Sequence, residues 1–147
     1  MSRKTAREQV FKLIYERCVE GEPNDFSLDL TLEKCDNDDA LFIRKLYAGI
    51  NEKYDFLKSA IERFAKGFTF DRIFKIDCGL LMLAAYEILY IDDIPVAASV
   101  NEALELAKKY STDKSVSFLN GVLASIAADK DKLLKEELEN DESGEDN

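Results

Sequence analysis

The stretch that decides the fold is residues 71–123, which read DRIFKIDCGLLMLAAYEILYIDDIPVAASVNEALELAKKYSTDKSVSFLNGVL. Its first part, residues 71–91, has helical spacing, and the last sixteen residues of that part carry only two charges, Asp77 and Glu87. A helix that is apolar on nearly every side is a buried helix. Gly79 costs such a helix about 1 kcal/mol relative to Ala, and we expect the compensation to be close approach of another backbone. We therefore predict a central helix with others packed about it.

The composition suits one globular domain. The chain has 147 residues, of which 46% are hydrophobic, and a chain of this length buries roughly two thirds of its unfolded surface. No run reaches the 18 or so apolar residues that a membrane helix needs. The first nine residues, MSRKTAREQ, lack the apolar core of a signal peptide. We expect a cytoplasmic protein without a membrane segment.

The cysteines and the missing histidine argue against catalysis and metal binding. Cys18, Cys35 and Cys78 form no CxxC pair, and the chain has no His. This pattern disfavours a disulfide framework and the common zinc sites, and it removes the usual general base for a Ser or Cys nucleophile. No glycine-rich phosphate loop is present. We predict a protein with structural cysteines, no metal, no cofactor and no enzymatic activity.

The net charge of −10 is unevenly distributed along the chain. Residues 129–147 hold nine acids against three lysines, a net of −6, whereas residues 2–17 carry five cations against two acids, a net of +3. The chain is thus positive at its start and negative at its end. A basic segment can bind phosphates even when the whole chain is acidic.

Helical spacing recurs along the whole body of the chain, without a convincing alternating strand. The predicted helices are 5–18, 25–35, 37–50, 53–64 and 71–91, and the first of them has Thr5 and Glu8 as a capping box. A further helix starts either on Pro95 or at a Ser99 cap with Glu102. The last one begins after the loop 110–115. Ser99 is the preferred start. The sequence therefore predicts an all-α, compact single-domain bundle of about seven helices around a buried central helix.

The C-terminal part, residues 129–147, is predicted to be an acidic extension of a domain formed by residues 1–128. Helical spacing continues through Leu133, Leu134 and Leu138. Beyond Asn140 the sequence DESGEDN has no apolar residue, and disorder is expected there.

Two interpretations fit the basic first helix. Arg3 and Lys4 precede the predicted helix start and Arg7 lies in its first turn, where cations oppose the helix dipole. Either this is a solvated basic end, or it is a phosphate-binding arm whose cations gain from releasing counterions.

The chain resembles the NusB family of transcription antitermination factors. The order and spacing of several motifs carry this resemblance up to about residue 127: Ala6-Arg7-Glu8, Tyr15, Asp71-Arg72-Ile73, Tyr86-Glu87, Pro95, Asn101-Glu102-Ala103, Glu105-Leu106-Ala107-Lys108 and Phe118-Leu119-Asn120-Gly121-Val122-Leu123. The resemblance implies a compact all-α fold and an adaptor that binds single-stranded boxA-like RNA together with the ribosomal protein NusE. Such an adaptor helps to assemble the complex that keeps RNA polymerase from terminating during ribosomal RNA transcription.

The resemblance also implies which residues contact RNA. These are Arg3, Lys4, Arg7, Tyr15, Lys114, Ser115, Ser117 and Phe118. Cations would hold phosphates, an accessible aromatic ring would stack on a base for roughly 1–3 kcal/mol, and the serines could bond to bases or sugars. The sequence leaves open that Tyr15 and Phe118 are core residues and that Ser115 is only a helix cap.

For NusE, the resemblance implies a surface on the central helix formed by Asp77, Leu81, Tyr86 and Glu87. The resemblance implies that Asp77 pairs with a basic ribosomal protein; the alternative is that this acid only favours the helix start. A homodimer that hides the RNA surface, as in some members of the family, is left open.

The departures from the family concern the two charged ends. The basic segment is sparser than in many members, which predicts weak RNA binding by the chain alone. The acidic tail could fold over the basic end and compete with RNA, in which case deleting residues 129–147 would tighten RNA binding at low salt. The alternative function is a purely protein-binding acidic scaffold without RNA contact. NusB-like domains are also fused to RNA methyltransferases, but this chain is too short for that catalytic domain.

Overall fold

The computed structural model of the protein describes residues 2–145, and the regular secondary structure in this range is helical. In chain order the helices are α1 (Arg3–Glu20), α2 (Asp25–Leu32), α3 (Asn37–Glu52), α4 (Tyr54–Phe64), α5 (Lys75–Tyr90), α6 (Val96–Tyr110), α7 (Asp113–Ala128) and α8 (Lys130–Glu145), with one 3-10 turn, Phe70–Arg72, between α4 and α5. No strand occurs in this described range. The all-α prediction is confirmed, and α8 adds an eighth helix to the seven expected.

Helix α5 lies at the centre of the bundle. Every residue from Asp77 to Leu89 is buried, and α1, α3, α4, α6, α7 and α8 all pack against this helix. A helix that is apolar on all sides requires such covering. The predicted start of this helix is too early, because Ile73 has an extended backbone. The Glu62 carboxylate fixes the 3-10 turn before it by accepting a hydrogen bond of 2.8 Å from the backbone N–H of Phe70.

Gly79 is the point of closest approach between α1 and α5. A Cβ atom at this position would lie 3.2 Å from the backbone N and Cα of Tyr15 and 3.2 Å from the ring of Phe11. The prediction that this glycine admits another backbone is confirmed. By contrast, a Cβ at Gly121 on α7 would meet nothing within 4 Å.

These two glycines give a matched stability prediction. We expect Gly79→Ala to lower the free energy of unfolding by about 1–3 kcal/mol, because the backbone of α1 must move away. Gly121→Ala should raise it by up to about 1 kcal/mol, because alanine favours helix and the space is open. Urea denaturation followed by circular dichroism measures both values. Equal effects of the two substitutions would contradict the close packing at Gly79.

The predicted Thr5 start of α1 and the preferred Ser99 start of α6 are wrong, and the alternative start of α6 at Pro95 is confirmed. Helix α1 is capped by Ser2, whose Oγ accepts from the backbone N–H of Thr5 at 3.1 Å, while Glu8 bonds to α6. Helix α6 begins directly after Pro95. Ser99 is buried, and its Oγ donates to Glu87 Oε2 at 3.4 Å.

Helix α8 docks on the body of the protein. Leu133 is 1% exposed. Side-chain hydrogen bonds also hold the helix, among them Lys130 to Asp92, Arg63 to Glu136 and Tyr90 to Glu137. The helix continues to Glu145, past the point at Asn140 where disorder was expected. Once the docked turns form, each further residue adds one helical hydrogen bond at little cost. The last two residues, 146 and 147, lie outside the described range.

Within residues 2–145, no helix is both long and apolar enough to cross a membrane.

Candidate nucleic-acid interface

Helices α1 and α6 form a cleft with exposed lysines, which we call the lysine cleft. Its volume is about 360 Å³ and it is lined by Lys4, Glu8, Glu105, Leu106, Lys108 and Lys109. The three lysines are exposed. Lys108 makes a 3.6 Å ion pair with Glu105, so part of the positive charge is balanced within the cleft.

Glu8 holds the end of α6 against α1. Its Oε1 accepts a hydrogen bond of 2.7 Å from Lys109 Nζ and another from the Tyr110 hydroxyl. The hydrogen bond from Lys109 is the main reason that the pKa of Glu8 lies below its ordinary value, and the bond from Tyr110 acts in the same direction. The ring of Tyr110 also packs 5.4 Å from that of Phe11. The chain leading into the α6–α7 turn is therefore fixed beside the first half of α1.

The α6–α7 turn is tied to the start of α5 by a buried carboxylate. Asp77 is 4% exposed; its Oδ1 accepts from Ser111 Oγ at 2.8 Å and its Oδ2 from Ser115 Oγ at 2.7 Å. Helix α7 is capped by Thr112, whose Oγ1 accepts from the Ser115 N–H. The interpretation of Ser115 as a helix cap is therefore wrong. Its hydroxyl fixes the turn that carries Lys114.

A second cleft, the aromatic cleft, is lined in part by the first residues of α7, which follow this turn. Its volume is about 270 Å³ and it is lined by Phe68, Arg72, Ile73, Phe74, Asp77, Lys114, Ser115 and Phe118. The exposed fraction is 50% for Phe68 and 59% for Phe74. Phe118 is half-buried and meets Phe68 edge to face, with ring centroids 6.0 Å apart. Exposed Lys114 and Arg72 flank these rings, so the cleft combines apolar surface with positive charge.

Arg7 does not belong to the exposed surface, contrary to the sequence prediction. Its Nε and Nη2 donate to the two carboxylate oxygens of Glu87, each at 2.9 Å, and the two side chains are only 11% and 1% exposed. Burial raises the pKa of Glu87, and the hydrogen bonds from Arg7 partly oppose that shift. This bidentate pair joins α1 to α5 and uses the donors that a phosphate would need.

Arg3 and Lys4 face different sites. The Arg3 guanidinium lies over the ring of Phe42 on α3, with Cζ 4.1 Å from the ring centroid, whereas Lys4 lines the lysine cleft. The structure thus brings Lys4 next to Lys109 and the α6–α7 turn, but it does not bring Arg3 into the aromatic cleft with Lys114. Tyr15 is 38% exposed, and Ser117 is exposed on α7.

The residues predicted for NusE do not form an exposed surface. Leu81 is fully buried, Tyr86 is 9% exposed, and Glu87 is engaged by Arg7. A central helix covered by six others has no free side, which is why the expected surface is absent. Asp77 lines the aromatic cleft, but there its carboxylate already accepts two serine hydroxyls.

Several residues of these clefts were missed by the sequence analysis. They are Lys108, Lys109 and Tyr110 at the end of α6, and Phe68, Arg72 and Phe74 in the α4–α5 connection. The sequence signal that could have found the aromatic residues is their position in a connection between helices, where few side chains can be buried. Lys108 and Lys109 lie in the last turn of α6, where cations also favour the helix dipole.

The thiols are not candidates for nucleophiles. Burial raises the pKa of Cys78 to about 12 and also raises the pKa of Cys18. Thiols in such surroundings stay protonated and unreactive near neutral pH.

Comparison with known proteins identifies the family. The model of the NusB family matches residues 4–128. The transcription antitermination protein NusB of Ruminiclostridium cellulolyticum is 40% identical over 129 residues, which cover 86% of this chain and 89% of that protein. The structure of T. maritima NusB superposes with a TM-score of 0.83 at 29% identity, covering 92% of this chain and 98% of that one. A crystal structure of the antitermination factors NusB and NusE in complex with double-stranded RNA shares the fold, with a TM-score of 0.77 at 24% identity over 86% of this chain and 96% of that one. Together, the family match over most of the chain and a relative at 40% identity establish that this chain belongs to the NusB family.

Proposed function

We propose that this protein is a transcription antitermination factor that binds boxA-type single-stranded RNA together with NusE and so helps to assemble the antitermination complex on RNA polymerase during ribosomal RNA transcription. The observation that supports this most is that the fixed turn between α6 and α7 joins two clefts in the chain, one with exposed lysines at the end of α6 and one with exposed aromatic rings beside the start of α7. A positively charged groove with aromatic rings is the usual way to bind a single strand. The relatives' names and the NusB–NusE–RNA complex agree with this proposal.

The chemical roles follow from exposure. Lys4, Lys109 and Lys114 would hold phosphates, and Phe118 would stack on an unpaired base. The exposed hydroxyl of Ser117 can bond to a base edge or a 2′-OH group, and the exposed edge of Tyr15 offers a further contact. Ser115 acts through the turn, because its hydroxyl is bound to Asp77.

For NusE we propose the start of α5. Phe74 is exposed there, and Asp77 fixes the adjoining turn by accepting from Ser111 and Ser115. NusE bound at this end would lie next to the RNA, so each partner would strengthen the binding of the other. The buried residues Leu81, Tyr86 and Glu87 would support this surface only by packing.

The test is a fluorescence-anisotropy titration with labelled boxA-type RNA, with and without NusE. We expect Lys114→Glu to weaken RNA binding. It should also reduce the slope of log affinity against log salt concentration by about the amount that one phosphate contact contributes. Phe118→Ala should lose roughly 1–3 kcal/mol of binding free energy with little change in that slope. Lys135→Ala, an exposed lysine on α8, is the matched control and should leave binding unchanged.

The acidic scaffold predicts a different result. A protein with that function would bind NusE but would not bind RNA, with or without NusE. Neither substitution would then change the anisotropy of the labelled RNA. Circular dichroism of each variant is needed, because Phe118 also packs against the core and a loss of fold would imitate a loss of stacking.

A further inference from the structure

We propose that the outer face of α2 is a docking surface for another protein, and that the segment which binds there is a basic amphipathic helix. This surface, which we call the α2 face, consists of the exposed residues Asp25, Phe26, Asp29, Leu30 and Glu33. The inference goes beyond the proposed function, because it adds a surface that is separate from the RNA clefts and from the NusE surface at the start of α5.

The α2 face carries two large apolar side chains that contact solvent. The exposed fraction is 71% for Phe26 and 44% for Leu30. The two residues are four positions apart in one helix, so their side chains are neighbours on its surface. Single exposed apolar residues are ordinary, whereas a contiguous apolar patch with a polar rim marks a site of interaction. Phe26 and Leu30 form such a patch.

Helix α2 is fixed to the bundle by its other side. Leu28 packs against the core. Ser27 Oγ donates to Glu16 Oε2 on α1 at 3.0 Å, and the backbone N–H of Asn24 donates to the Tyr47 hydroxyl on α3 at 2.9 Å. The apolar pair of the α2 face is therefore held toward solvent. A surface that is already ordered loses little conformational freedom when a partner binds.

The α2 face lies in a strongly acidic segment. Residues 20–38 contain seven acids, all of them exposed, and one lysine, Lys34, which gives a net charge of −6. Among the described residues, none of these seven acids takes part in an ion pair. Glu20 ends α1 and Glu33 caps the end of α2, where acids oppose the helix dipole. Helix stability therefore does not account for this charge, whose field attracts cations.

The charge decides which occupant fits. RNA and anionic lipid are repelled by this segment, and a second copy docked through the same face would place two acidic surfaces together at a cost in affinity. A basic amphipathic helix covers the apolar pair with its own apolar stripe, at the interaxial distance of about 8–10 Å that packed helices have. Its lysines or arginines then pair with the acids of the α2 face. No residue of α2 lines the lysine cleft or the aromatic cleft, so this partner does not displace RNA.

The probe for this surface is a labelled synthetic peptide of leucine and lysine, arranged as an amphipathic helix with one apolar stripe. Fluorescence anisotropy measures its binding to the full-length protein. We expect Phe26→Gln to weaken binding about tenfold or more, because the aromatic anchor is lost. The double variant Asp29→Lys/Glu33→Lys should weaken binding and reduce its dependence on salt. A scrambled peptide of the same composition should bind at least about tenfold more weakly than the amphipathic one.

Leu138→Gln is the matched control. It removes an apolar side chain that is 63% exposed on α8, another acidic helix, and it should leave peptide binding unchanged. Glutamine has nearly the helix propensity of leucine, so the folded helix is kept. If Phe26→Gln has a lower free energy of unfolding than the unmodified protein, Leu30→Gln repeats the test at the second residue of the apolar pair.

Four results would overturn the inference. Equal losses in Leu138→Gln and Phe26→Gln, or equal binding of the scrambled peptide, would mean that only general charge attraction is at work. A dimer that Phe26→Gln dissociates in sedimentation experiments would make the α2 face a contact between copies of the chain. A loss of NusE binding in Phe26→Gln would make it part of the NusE surface. The RNA titration of Lys114→Glu involves no residue of α2, so its failure would contradict the proposed function and leave this docking surface standing.

Discussion

Replacing Arg7 with methionine is expected to lower the free energy of unfolding by about 3–5 kcal/mol, because it leaves the carboxylate of Glu87 buried without its partner. Glu87 is 1% exposed and receives two hydrogen bonds of 2.9 Å from Arg7. Ser99 offers only a longer contact of 3.4 Å, which cannot replace a bidentate ion pair. Urea denaturation followed by circular dichroism measures the loss.

The loss should depend on pH in a defined direction. Burial raises the pKa of Glu87 above its ordinary value of 4.5, and removing Arg7 removes the interaction that opposes this shift. The folded variant then binds the carboxyl proton more tightly than the unfolded chain, so stability is greatest below the ordinary pKa and falls as pH rises through the raised one. Arg7→Met should therefore be less destabilising in mild acid than at neutral pH.

The double variant Arg7→Met/Glu87→Leu is the control. It removes both charges, so most of the stability should return and the additional pH dependence should disappear. If Arg7→Met instead has the same free energy of unfolding as the unmodified protein but a lower affinity for RNA, the ion pair is not essential to the fold. Arg7 would then belong to the RNA-binding surface.

Deleting residues 129–147 is expected to destabilise the protein rather than to free its basic end. The deletion removes the buried side chain of Leu133 together with the bond between Tyr90 and Glu137 and the 3.2 Å ion pair between Lys53 and Glu137. Leu133→Ala alone should cost about 2–5 kcal/mol, and the deletion at least as much. Thermal and urea unfolding of both variants measure this.

A shorter deletion, residues 141–147, separates charge from packing. It removes the acids Asp141, Glu142, Glu145 and Asp146 and keeps the contacts made by Leu133, Glu136 and Glu137. The docked acids of α8 contact Lys53, Arg63 and Tyr90 and not the lysine cleft. We therefore expect little change in RNA affinity, measured at a salt concentration that screens charges more than about 10 Å apart. A marked tightening would support the tail as a competitor of RNA.

Arg3 and Arg7 show where sequence reasoning reached its limit. Both are cations near the start of α1, and they look equivalent in a basic segment. Arg3 lies seven and eleven residues before Val10 and Ile14, so helical spacing places it on the same side of α1 as Arg7, the side that meets α5. The spacing therefore does not distinguish the two arginines. The partner of Arg7 could not be chosen in advance, because Glu87 lies eighty residues away.

The helix caps show the same limit on a local scale. Thr5 with Glu8 and Ser99 with Glu102 both fit a capping box, and neither forms one. Glu8 bonds to Lys109 and Tyr110, and Ser99 to Glu87. A local capping rule counts only neighbours in the chain, whereas a partner on another helix can compete for the same oxygen.

The sequence by itself determined that α5 is buried and that the other helices cover it, because a helix with apolar side chains on every face is stable only when it is enclosed. It also determined that Gly79 admits α1, since no other residue type lacks a Cβ atom. Only the tertiary structure decided which charges are free. Whether Arg7, Asp77 or Glu87 faces solvent depends on contacts between residues distant in the chain, and a charge whose donors or acceptors are already occupied in the interior cannot serve a partner at the surface.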